Sequence, residues 1–88
     1  MRILIASILF KEGEHIVSLC PQLNVSSFGE TAEEAKKSLV EAVTLFLQEC
    51  QKMGTLEEVL EEAGYSQRGE EWIPPQIIAS EQFEVAVA

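Results

Sequence analysis

Aspartate is missing from this chain, and all fifteen acidic side chains are glutamates. Cations are scarce. Six Lys and Arg leave a formal net charge of −9 over 88 residues. A nucleic-acid binder draws much of its affinity from neutralising phosphates with Lys and Arg. Here the few cations are not interleaved with aromatics, so no nucleic-acid face is visible. Histidine occurs once, at His15, and cysteine twice, at Cys20 and Cys50. The cysteines form no CxxC pair, so no zinc ligand set can be assembled and no metal site is expected. Two is an even number, so a disulfide stays open, but buried reduced thiols are expected in a cytosolic chain.

Long hydrophobic runs are lacking too. Ile3–Phe10 follows Arg2 in the manner of a signal peptide. It is too short to span a bilayer, and Phe10-Lys11-Glu12 offers no small-residue cleavage site. A strand in a cytoplasmic protein is expected instead. Catalytic signatures are also wanting: there is no phosphate-binding glycine loop, HExxH or GxSxG. Fifteen glutamates will place some carboxylates in pairs by chance, so such a pair carries little meaning. His15 and Cys20 lie five residues apart, on opposite faces of an extended strand. No catalytic residue, cofactor or enzyme activity is expected.

What is present reads as one α+β domain over residues 1–88. Ile3–Phe10 and His15–Cys20 form a hairpin around Gly13, and Pro21, which has no N–H for a ladder, ends the second strand. Val25–Phe28 is a third short strand closed by Gly29. Thr31-Ala32-Glu33-Glu34 is a capping box that starts a helix. Its apolar stripe runs through Ala35, Leu39, Ala42, Val43, Phe46, Cys50 and Met53, and Gly54 stops it. Thr55-Leu56-Glu57-Glu58 repeats the capping pattern before a short helix with Leu56, Val59, Leu60 and Ala63. Residues 65–71 read as a polar loop. A lone Trp72 beside Pro74-Pro75 is expected to pack over a thin core. Phe83, Val85 and Val87 alternate with Glu84, Ala86 and Ala88 as a final strand. The expected order is β-β-β-α-α-β with a mostly antiparallel sheet. Residues 1–54 form a β-β-β-α core, and 55–88 add the short helix, a loop and the last strand.

The first strand lacks clean alternation. Ile3, Ile5 and Leu9 lie on one face, Leu4, Ala6, Ile8 and Phe10 on the other. An apolar outer face needs a cover. The second helix, the segment around Trp72 and a second subunit are the candidates, and a homodimer or higher homo-oligomer is expected to supply part of it.

The segment Cys20-Pro21-Gln22-Leu23-Asn24-Val25, then Gly29-Glu30-Thr31-Ala32-Glu33-Glu34-Ala35, then Leu39, Glu41-Ala42 and Leu45-Phe46-Leu47 resembles the HicB-like antitoxin family. The likeness covers about residues 2–50. Pro21, Gly29, Thr31 and Gly54 specify the fold. The resemblance implies a partial double-stranded-RNA-binding-like fold. It also implies a small basic HicA-type RNA-cleaving toxin as partner, bound and masked by direct contact. Glu30, Glu33 and Glu34 are the candidate contact residues. Gln22 stands where the family usually has an acidic residue. Family members that repress their own operon usually carry a C-terminal DNA-binding domain. Residues 55–88 offer none, so a stand-alone member without DNA or membrane binding is expected. Two other classes compete: an orphan oligomeric structural or regulatory module, and an RNA-binding domain.

Overall fold

A computed structural model describes residues 1–88. The chain is α+β, with two helices and two small three-stranded sheets. The order is β1 (Arg2–Ile3), β2 (Ile8–Glu12), β3 (His15–Cys20), β4 (Val25–Gly29), α1 (Ala32–Met53), α2 (Leu56–Glu62), β5 (Ser66–Arg68) and β6 (Glu71–Ile73).

This corrects the expected β-β-β-α-α-β order in three places. The run Ile3–Phe10 is not one strand. Arg2–Ile3 pairs in parallel with β6, residues 4–7 cross over, and Ile8–Glu12 pairs antiparallel with β3. Its lack of alternation reflects service to two different sheets. Residues 65–71 are not simply a loop, because β5 and β6 form a hairpin with Arg68 opposite Glu71. Residues 83–88 form no strand, since no other strand of the chain lies beside them to supply a ladder.

The larger sheet has the order β2-β3-β4. Its first turn is Gly13-Glu14, with Gly13 at φ 62°, the position where a type II′ hairpin turn takes glycine. Cys20 ends β3 as expected, and Pro21 opens a four-residue turn that closes on Asn24 at φ 55°.

Helix α1 starts at its cap. Thr31 accepts a hydrogen bond from the Glu34 N–H at 3.1 Å. The Glu34 carboxylate accepts the N–H of Glu30 at 3.0 Å, one residue earlier than the capping box anticipates. Gly54 at φ 74° ends the helix by donating its N–H to the last turn. The buried stripe is Ala35, Leu39, Val43, Leu47 and Cys50. Leu47 replaces the expected Phe46 and Met53, which stay exposed. The stripe has rotated toward α2, which adds Leu56 and Leu60 to the same core. Thr55 does not cap α2. Its hydroxyl donates back to Cys50 O at 3.3 Å, tying the two helices together.

The core gathers Cys20, Leu39, Val43, Leu47, Cys50, Leu56, Leu60, Tyr65 and Trp72. Both cysteines are free and buried. Trp72 packs in this core as expected, and its indole Nε1 has no hydrogen-bond partner in the chain. No helix is long and apolar enough to cross a membrane.

Candidate functional site

Directly paired residues of antiparallel strands point to the same side of a sheet. The register therefore sorts the larger sheet into two faces. Ile16, Ser18 and Cys20 of β3 share one face with Val25, Ser27 and Gly29 of β4. Helix α1 lies across this inner face, over β4 and β3. Ser18, Cys20, Ser27 and Gly29 keep much of this face small, and the helix comes close. A Cβ built on Gly29 would lie 2.7 Å from the Ala35 nitrogen. Gly29 is thus required for the close approach of helix and strand rather than for a turn.

The outer face carries the large residues. Phe10, Val17 and Phe28 form one row across all three strands, and Ile8 and Leu19 form the next. Ile8, Val17 and Leu19 are half-buried, and Phe10 and Phe28 are open to solvent. Phe28 is 63 % exposed and Phe10 is 43 % exposed. His15 packs its ring edge against Phe28, with centroids 5.4 Å apart and planes at 68°. Glu12, His15, Val17 and Phe28 line a shallow open depression at this end of the face.

Of the three covers expected from sequence, α2 and Trp72 are committed elsewhere, since both belong to the core with α1. Sequence reasoning grouped Ile8 and Phe10 on one face of the first strand without saying which face is outer, and did not join Val17, Leu19 and Phe28 to them. The alternation Val17-x-Leu19, read in register with Phe28, carries that signal.

The face offers apolar side chains for docking. His15 has no nucleophile beside it, because Cys20 lies buried on the opposite side of the sheet. No group of three His, Cys, Asp or Glu side chains is gathered to hold a metal ion.

The glutamates named as contact candidates sit apart from this face, at the start of α1. All three are exposed. Glu34 is occupied by the Glu30 N–H, and Glu33 pairs with Lys36 at 3.2 Å. Gln22 donates from Nε2 to Pro75 O at 3.3 Å, which fixes the root of the C-terminal segment beside the β3–β4 turn. Beyond that root the chain runs in the open. Phe83, Val85 and Val87 are 81, 80 and 90 % exposed.

No family model matches the chain, and neither a curated protein nor a solved structure does.

Proposed function

We propose that this protein is a HicB-like antitoxin, or an antitoxin-like protein, that binds and masks a small basic RNA-cleaving toxin of the HicA type. The observation that carries this reading is the uncovered apolar face of β2-β3-β4 in a chain of net charge −9. An exposed apolar patch of this kind marks a docking surface on a small domain. The surrounding negative field attracts and orients a basic partner and repels RNA itself. The ordered motif of residues 20–47 supports the antitoxin class. Masking then consists of laying this face over the toxin, with the acidic surroundings satisfying its cations at the rim.

Co-expression with a small basic toxin encoded beside this protein tests the proposal. The two are expected to co-purify, and toxin-dependent RNA cleavage is expected to cease. Phe28→Glu should abolish the complex while the chain stays folded, because Phe28 is mostly in solvent. Failure of the unmodified chain to form any complex would overturn the proposal.

A further inference from the structure

The C-terminal segment is the part of the chain least consistent with solvation. Residues 83–87 alternate Phe-Glu-Val-Ala-Val, which is the pattern of a strand with one buried face. Yet they pair with nothing. They also extend the molecule, whose radius of gyration is 15.0 Å, whereas a compact chain of this length has about 12 Å.

The larger sheet has two open edges, β2 and β4. The β4 edge is a poor acceptor. Helix α1 lies across it, and Glu30, Glu33 and Glu34 crowd its end with negative charge. The β2 edge is free on both faces, with Ile8 and Phe10 on the outer side and Leu9 and Lys11 on the other. Lys11 is exposed and joins no ion pair.

We infer that residues Phe83–Val87 of a second copy of this chain add to the β2 edge as an antiparallel strand. One register suits residues 84–87 and leaves Phe83 opposite Glu12 at the end of β2. Val87 falls opposite Ile8, Ala86 opposite Leu9, Val85 opposite Phe10, and Glu84 opposite Lys11. Sliding by one residue puts Glu84 among the outer apolar side chains, because the side-chain period is two. Sliding by two toward the start of β2 places Glu84 against Leu9 and leaves Lys11 without a counter-charge. The exchange is reciprocal, so each copy donates one strand and accepts one, in a closed two-fold dimer. Both hydrophobic tails and both open β2 edges are consumed together. The outer face is widened by Val85 and Val87 rather than hidden. This dimer deepens the docking role proposed above, but it needs no toxin to form.

Sedimentation velocity on the full chain alone tests it. A dimer is expected at micromolar concentration. The double variant Val85→Glu/Val87→Glu should raise the dimer Kd roughly 100-fold or more, by setting carboxylates against Phe10 and Ile8. Lys11→Glu should weaken the dimer about 5-fold through two like-charge contacts, and adding Glu84→Lys should restore it. A monomer at all concentrations would overturn the inference, and would show that the tail is used by its own chain or another partner. An unchanged Kd in the double variant, or no recovery by the charge exchange, would overturn it as well. Because no toxin is present, these outcomes are independent of the co-purification test.

Discussion

The two faces of the β2-β3-β4 sheet differ in a way opposite to the usual one. The covered face carries Ser18, Cys20, Ser27 and Gly29 between Ile16 and Val25, and the open face carries Ile8, Phe10, Val17, Leu19 and Phe28 with Ser26. Small residues lie inside because α1 approaches closely, as Gly29 requires. Large apolar residues lie outside, where Phe10 and Phe28 stay exposed in the isolated chain. Bulk placed where it adds no stability to its own domain is bulk available to another molecule.

Substitutions on each face sharpen this contrast. The largest effect is expected opposite the inner face, from Leu39→Ala in α1. Leu39 is 1 % exposed, and its truncation should cost about 3 kcal/mol in a urea melt, from lost burial and a residual cavity. Gly29→Ala should follow at about 2 kcal/mol. The added methyl meets Ala35 N and Glu34 Cβ, and helix or strand must shift to admit it.

Tyr65 tests the inner side by pH. Its hydroxyl is buried without a partner, and its pKa is pushed up to about 12, first by burial and then by Cys20. An unfolded tyrosine ionises near pH 10. Between pH 10 and about 12 the unfolded chain gives up a proton that the folded chain keeps, so stability falls as pH rises through this window. Tyr65→Phe should remove that part of the alkaline loss in paired thermal melts, and gain about 1 kcal/mol at neutral pH. The smallest effect belongs to the outer face. Phe28→Glu should change stability by no more than about 0.5 kcal/mol in the same urea melt. A large loss there would mean that the face belongs to the chain's own core.

Much of this arrangement was legible in the sequence where a local rule was enough. Gly13 marked a hairpin, Thr31 and Glu34 marked the start of α1, and Gly54 marked its end, because caps and turns are chemistry of neighbouring residues. The β5-β6 hairpin was missed, although Gly69-Glu70 repeats the Gly13-Glu14 turn and Gly69 takes the same φ of 62°. Its strands are three residues long and mostly polar, so no periodicity announced them. The alternation of residues 83–88 was read as a strand of this sheet. Alternation identifies a face, but it does not supply a neighbour. Leu47 displaced Phe46 and Met53 from the stripe because α2, not the helix period alone, decides which side of α1 is covered. Of the apolar outer face only the grouping of Ile8 with Phe10 on β2 was visible, since the rest of its rows depend on the register of β3 and β4. The glutamates Glu33 and Glu34 were legible as acidic, but not as already engaged by Lys36 and the Glu30 N–H.

The parallel pair of β1 and β6 is a long-range closure and is expected to form late in folding. Arg2 lies beside Glu71, held by a 3.1 Å ion pair, and Leu4 N–H reaches Trp72 O. Joining them closes a loop of almost the whole chain, which costs entropy before any contact repays it. The β2-β3-β4 sheet and α1 need only short closures. The β2-β3-β4 sheet is therefore expected to form early in folding, and the small sheet that carries the tail to lock last. Ile3→Val should consequently quicken unfolding while leaving the refolding rate almost unchanged in stopped-flow chevrons. A folding chain would present its sticky surface before the small sheet that roots the tail is in place.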